Sequence, residues 1–249
     1  MIRKVIYMKL KKWLAVSALT ASCLMGTMVA QADLLTLADG KALDMGSQVS
    51  VYDGERSFFG SQIHDWLVEG KPEQSIEKVL VEEKVFPEDS TQAKDFSTVA
   101  AGILKQAKVY QVRAAANDTY YQGMVLSLTV SDSDMAKLKS YQKAAEGNKE
   151  TAATEENPLV ASLLAACHGK VEIASHSDWT EKTSKAGVTY RMADAKLVLN
   201  KNGFLLPLYV KGILMKEEGQ TTYTLFTADQ VSGQYLSTFF DTALQGVKK

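Results

Sequence analysis

Residues 188–227 read VTYRMADAKLVLNKNGFLLPLYVKGILMKEEGQTTYTLFT, and the fold turns on them. Three stretches rich in β-branched and aromatic residues run from Val188 to Leu199, from Phe204 to Met215 and from Thr221 to Thr227. They are separated by Asn200-Lys201-Asn202-Gly203 and by Glu217-Glu218-Gly219. Asn and Gly tolerate the positive φ that tight hairpin turns need, so the run predicts an antiparallel meander. Behind it a helix is predicted from near Asp229, with Val231, Tyr235, Phe239, Phe240, Ala243 and Leu244 on one broad apolar face. A meander closed by a C-terminal amphipathic helix places the chain in the α+β class, as an antiparallel sheet covered by helices.

Working back from the meander, Val109 to Ala115 and Tyr120 to Val130 predict another strand pair, with Asn117-Asp118 as its turn. Ser131-Asp132-Ser133-Asp134 then offers caps, and negative charge, to the start of a helix carrying Met135, Leu138 and Tyr141. The order Thr119-Tyr120-Tyr121, strand, Ser131-Asp132, helix is echoed by Thr222-Tyr223-Thr224, strand, Ala228-Asp229, helix. The echo is consistent with two β-β-α halves.

Between these halves, Ala145 to Asn157 has no large apolar residue and reads as a flexible linker or loop. Asn157, Pro158 and Gly169 then bracket a predicted helix with Leu159, Leu163 and Cys167 on its core side. Nearer the start, Ser90 is the expected N-cap of a helix striped with Ala93, Phe96, Ala100, Ile103, Leu104 and Ala107. Ile63, Trp66 and Leu67 have helical spacing, stopped by Gly70-Lys71-Pro72. Ile76 to Phe86 fits helix or strand, and Val79, Val81 and Val85 tilt it towards strand. Leu34 to Leu37 and Gln48 to Tyr52 are short strands beside the turn signals Ala38-Asp39-Gly40 and Asp53-Gly54.

The first 32 residues stand apart. Arg3, Lys4, Lys9, Lys11 and Lys12 precede an apolar stretch from Trp13 to Val29, and Ala30-Gln31-Ala32 supplies a small-residue cleavage site. That order is a secretory signal peptide, with Asp33 as the new N-terminus; Met8 begins a second complete n-region. A retained membrane anchor is the weaker reading, because Ser17, Thr20, Ser22, Gly26 and Thr27 dilute a run near the spanning length of roughly 20 residues. Lipidation at Cys23 is weaker too: Thr20 stands where a lipobox has Leu, and the apolar run continues past Cys23 to a better site. The protein is thus expected to be exported, to the periplasm or beyond the cell, with no membrane span once the signal is cut.

Removing residues 1–32 from the 249 leaves 217, read as a single α+β domain over 33–249 and large enough for a conventional core. The whole chain has 28 basic and 29 acidic residues. Five of the basic ones and none of the acidic ones leave with the signal, so the mature chain has 23 against 29 and is about 6 negative. No basic patch with interleaved aromatics is present, which speaks against nucleic acid as a partner. One cysteine remains, Cys167, so no internal disulfide can form, and its apolar surroundings suggest burial.

One family resemblance is carried by Gly203-Phe204-Leu205-Leu206-Pro207-Leu208-Tyr209-Val210-Lys211-Gly212, then Tyr223-Thr224-Leu225-Phe226 and Phe239-Phe240-Asp241. This ending, about the last 60 residues, resembles the closing part of PsbP-like proteins through its general strand-strand-helix pattern. The resemblance implies a sheet covered by helices in an exported accessory protein without a catalytic site.

The residues that could do chemistry are few. His64-Asp65 and His176-Ser177-Asp178 each set a carboxylate near an imidazole, as a metal site or an oriented base requires. His64, His168, His176 and Asp178 are therefore the candidate metal ligands, although no zinc spacing such as H-E-x-x-H joins them. Cys167-His168 are neighbours on a predicted helix and so point about 100° apart, which is wrong for a thiolate–imidazole pair. No nucleophile elbow, S-x-x-K or phosphate loop stands in the right context. Trp66, Tyr120, Tyr121, Trp179, Tyr190, Tyr209 and Tyr223 could line a cleft, or could be core and cross-strand pairs.

The expectation is a noncatalytic envelope protein without a cofactor, acting as a binding or accessory module for a protein or small-molecule ligand. The alternatives are a hydrolase or metal-dependent enzyme assembled from the scattered His and Asp residues, and a structural partner of another envelope protein.

Overall fold

The computed structural model describes residues 34–53, 72–82, 86–146, 171–201 and 204–248. The elements are β1 (Leu34–Thr36), β2 (Ala42–Asp44), β3 (Val49–Asp53), α1 (Pro72–Glu82), α2 (Thr91–Lys105), β4 (Lys108–Ala116), β5 (Thr119–Ser131), α3 (Asp132–Glu146), β6 (Val171–His176), β7 (Thr180–Thr183), β8 (Thr189–Lys201), β9 (Phe204–Glu217), β10 (Gln220–Asp229) and α4 (Gln230–Gly246). Antiparallel structure dominates, and a helix closes the chain. β1 and β2 pair separately, while the main sheet has the order β3-β4-β5-β10-β9-β8-β6, with β7 also on β8.

Two of the three predicted hairpin turns lie wholly within the described residues and are present for the predicted reasons; β8 and β9 are paired as expected, but residues 202 and 203 of their turn lie outside the described residues. Asn117 and Asp118 sit at φ 50° and 59°, the double positive φ of a type I′ turn, and Gly219 at φ 80° closes the β9–β10 turn. The two hairpins meet along β5 and β10, where Ala228 faces Gly123, Phe226 faces Val125 and Thr224 faces Ser127. Side chains alternate about this seam. On one face Val112, Val125, Phe226, Ile213, Met215 and Tyr190 form a core with Leu236, Phe240 and Leu244 of α4. Leu35, Leu37 and Leu43 of the β1–β2 hairpin close the same core. On the other face Leu128 and Val130 of β5 pack with Leu80 of α1, Phe96 and Ile103 of α2 and Leu138 of α3.

The caps follow the sequence. Ser90 Oγ accepts from the Ala93 N–H at the start of α2, and Asp229 accepts from the Val231 and Ser232 N–H groups at the start of α4. Ser131 Oγ accepts from the Asp134 N–H before α3. The Asp134 carboxyl is held below the usual carboxylate range chiefly by its hydrogen bond from Ser131, then by Lys137.

Four expectations are corrected or extended. The described part of the Ile76 to Phe86 segment is not a strand: Pro72–Glu82 is helical, with Pro72 at its first turn and Glu73 complementing the helix dipole, while residues 83–85 lie outside the described residues. Ile76 and Leu80, one turn apart, join the α2 side, and that packing outweighs a β-branched helix penalty of only about half a kcal/mol per residue. Val231 is not on the buried face of α4; it is 65% exposed, and Ser232, Gly233, Leu236, Ser237 and Phe240 face the sheet instead. β2, β6 and β7 were not expected, since they are short or, like the fully exposed Thr180–Thr183, have no apolar alternation. The β-β-α order does recur, but α3 and α4 lie on opposite faces of the sheet. Ala145 and Glu146 end α3, while the rest of the 145–157 segment lies outside the described residues. So do the predicted helices near Ile63 and Pro158. Among the described residues no helix is long and apolar enough to cross a membrane.

α4 comes close to β9 because Gly233 lies against Tyr209: a Cβ there would fall within 3.0 Å of three Tyr209 side-chain atoms. Gly233→Ala is expected to cost about 1–3 kcal/mol of stability through overpacking. Gly102→Ala, in α2 with nothing within 4 Å, should instead stabilise by up to about 1 kcal/mol through helix propensity. Urea unfolding of the two variants checks the opposite signs.

Candidate functional site

The alternation of β9 predicts its own inner face: Tyr209, Ile213 and Met215 are all buried, and Lys211 falls in phase with them. A lysine in that phase must bring its charge under α4, and it is only 1% exposed. Its Nζ lies 2.9 Å from Asp194 Oδ1 of β8 and 2.9 Å from Asp241 Oδ1 of α4. Tyr209 donates its phenol hydrogen to the same Asp194 oxygen. Asp194 is opposite Lys211 in the β8–β9 register, and its backbone exchanges hydrogen bonds with Ser177, whose N–H donates to the Asp194 carbonyl. Two adjacent strands and the last helix thus converge on one ammonium group.

The two carboxylates are 37% and 42% exposed at their side chains, so the network is a buried cation with a half-solvated anionic rim. Burial pushes the Tyr209 phenol well above the ordinary tyrosine value, and its hydrogen bond to Asp194 pushes the same way, while a bond with Ser237 opposes both. Tyr190, also against Asp241, is raised chiefly by burial. The acid–base groups here are engaged with one another, and what they accomplish is to fasten α4 to β8 and β9.

The histidine candidates come out differently. His176 ends β6, is exposed, and has its Nδ1 3.3 Å from the Ser177 carbonyl oxygen. Asp178 is exposed in the following loop. His64, His168, Cys167, Cys23 and Trp66 lie outside the described residues. Among the described residues no three His, Cys, Asp or Glu side chains gather closely enough to hold a metal ion. Of the predicted aromatics, Tyr190 and Tyr209 are core, Tyr121 stacks on Tyr235 at 4.0 Å, and Tyr120 is 79% exposed. Trp179 is 37% exposed and lies across Gly212, where a Cβ would meet its ring at 2.8 Å, with Arg191 5.9 Å from the ring centroid.

The sequence reading passed over Lys211. Its signal was available: a single charge in the inward phase of an otherwise apolar strand implies a compensating carboxylate. What could not be seen was which of 29 acidic residues would supply it. No protein-family model matches the chain, and no curated protein is significantly similar to it.

Three results are expected. Asp194→Asn with Asp241→Asn leaves a buried ammonium uncompensated and should cost about 3–5 kcal/mol. Lys211→Met leaves only half-exposed carboxylates and should cost about 1 kcal/mol or less, again by denaturant unfolding. Because the Tyr209 pKa is raised on folding, its contribution is complete below the ordinary value of about 10 and is lost as pH rises beyond it. Tyr209→Phe should therefore flatten the alkaline fall in stability and remove one late-ionising tyrosine from the absorbance titration.

Proposed function

We propose that the chain is an exported, noncatalytic envelope protein that serves as a binding or accessory module. The observation that carries this reading is an apolar arm at one end of the sheet. β10 pairs with β9 only as far as Asp229 opposite Leu208, where the chain turns into α4. β8 and β9 stay paired to Lys201 opposite Phe204, so four residues of β9 continue past the end of β10, about 14 Å at 3.4 Å per residue. β6 flanks the arm through Val171 opposite Leu199 and Glu172 opposite Val198. Ile173, 51% exposed, shares one face of the arm with the half-buried Leu197, Leu206 and Leu208, while Leu205, 64% exposed, is on the other face at the same end of the sheet. Exposed apolar residues gathered in one place are characteristic of an interaction surface. Pro207, on the edge that β10 leaves uncovered, lacks an N–H and discourages strand addition there, so contact is made by side chains.

Export is supported at the other end. β1 begins at Leu34, two residues beyond the proposed cut after Ala32, while Leu35 and Leu37 are fully buried. Cleavage there would leave every described strand intact. The resemblance to PsbP-like proteins supports the same reading, with helices covering both faces of the sheet in a β-β-α arrangement. The self-engaged network at Lys211 supports a noncatalytic role, since its acid–base groups are committed to one another rather than directed at a substrate.

The expected outcome in cells is a mature protein whose mass begins at Asp33, recovered from the envelope or the medium. A photo-cross-linking side chain at Leu205 or Ile173 should yield one discrete adduct, and the same group at the exposed Thr238 of α4 none. Retention of residues 1–32 in a cytoplasmic fraction would defeat the export reading. Indistinguishable adducts at all three positions would defeat the arm.

A further inference from the structure

We infer that Arg113 is the centre of a site for a monoanionic carboxylate, on the face of β3, β4 and β5 opposite the α4 core. Nothing in the export or docking arguments is needed for it. The register places Ser50 of β3 and Gln122 of β5 on either side of Arg113, and sets Tyr52 and Met124 on either side of Gln111. These side chains share one face, because Val112 and Ala114, one residue away on β4, belong to the α4 core.

The guanidinium carbon lies 5.2 Å from the centroid of the Tyr52 ring. Nη2 donates to Gln111 Oε1 at 3.1 Å, and Gln111, only 9% exposed, reaches Gln122 Oε1 with its own Nε2 at a long 3.5 Å. The Arg113 Nε is buried and has no hydrogen-bond partner. Among the described residues no carboxylate forms an ion pair with Arg113. Four neutral polar or aromatic side chains therefore surround one cation with a free donor, and a buried donor left unpaired is unfavourable and uncommon in native folds.

The chemistry that completes such a site is planar and anionic. A guanidinium presents parallel N–H groups that match the two oxygens of a carboxylate, and the unpaired Nε is one of those groups. Ser50 and the amide groups of Gln111 and Gln122 can supply further donors, since a glutamine amide turns to suit its partner. Among the described residues the groups around this single positive charge are neutral, which favours a monoanion over a phosphate dianion. A free organic acid and the carboxylate of a peptide share this chemistry.

The test uses the whole mature chain and two probes, sodium acetate and a short peptide with a free C-terminal carboxylate, each against chloride at constant ionic strength. In NMR titrations the Arg113 Nε–H and the Gln111 and Gln122 amide resonances should shift saturably with a carboxylate and not with chloride. A response to acetate alone assigns a free acid, and a tighter response to the peptide assigns a chain terminus. Arg113→Gln should abolish saturation, and Gln122→Leu, which keeps the cation, should weaken binding about tenfold, the loss of one charge-assisted hydrogen bond. No saturable shift in the native chain overturns the site, as does an unchanged response in Arg113→Gln. If Arg113→Gln does not fold, the Gln122→Leu titration decides: affinity equal to the native chain overturns the proposal.

Discussion

The pairing of β5 with β10 is the contact on which the remainder depends. Each hairpin is local, but neither alone has both faces covered, and it is the seam of nine residue pairs from Gln220–Ser131 to Ala228–Gly123 that makes one sheet of them. Its inner side chains are complementary in kind as well as size. Ser127 and Thr224 share a hydrogen bond at 3.0 Å, Thr129 and Thr222 another at 3.3 Å, and the Phe226 ring occupies the space that a Cβ on Gly123 would need. The same Ser127 oxygen accepts from the Ala38 N–H, so the β1–β2 turn is anchored on the seam. Around it Tyr110 donates to the Thr36 carbonyl and Lys41 bridges Asp39 and Glu217. The Glu217 carboxyl is lowered chiefly by that bond; burial is the largest single influence on the Lys41 ammonium and lowers it, but the hydrogen bonds and charges of Glu217 and Asp39 together outweigh it and leave it raised.

Parity along the seam also explains why the two β-β-α halves are not equivalent. With Val125 opposite Phe226, odd positions of β5 and even positions of β10 face α4. β5 reaches its capping residue at Ser131, in the phase of the α4 face, whereas β10 reaches Asp229, in the opposite phase. A change of one residue in strand length reverses the face from which a chain leaves. α3 therefore joins α1 and α2 on one side, and α4 has the other side with the β1–β2 hairpin.

Charge is arranged on this frame in two contrasting ways. Lys211 is deeply buried but doubly paired, and it locks α4 across the strands beneath it. Arg113 is on the other face, supported by neutral groups, with a donor to spare. A compensated buried charge contributes to the uniqueness of the packing, whereas an uncompensated one is stabilised only by what it meets outside the sheet. The apolar arm of β8 and β9 is a third departure from closure, produced where β10 stops to become α4 and its neighbours do not.

Local order was legible in the sequence wherever one short-range rule acted alone. Asn117-Asp118 and Gly219 dictated turns because few residues accept their φ values, and Ser90, Ser131 and Asp229 dictated helix starts because their oxygens reach backbone donors two or three residues ahead. Where packing competes with propensity the reading failed, as at Pro72–Glu82, whose valines suggested a strand until α2 offered Ile76 and Leu80 a helical partner. Polar β7 carries no periodicity at all, and only its register with β8 makes it a strand. Of the candidate site residues the sequence supplied the types but not the company: His176 is exposed beside Ser177, while Lys211, unremarked in its strand, meets Asp194 and Asp241 from 17 and 30 residues away. The sequence alone determined the hairpins, the caps, the closing helix and the α+β class, since each depends on contacts within a few residues. Tertiary structure decided the seam, the faces and the partners of every buried charge, because those depend on which distant strands lie side by side, and strand alternation specifies a face without naming the strand that will share it.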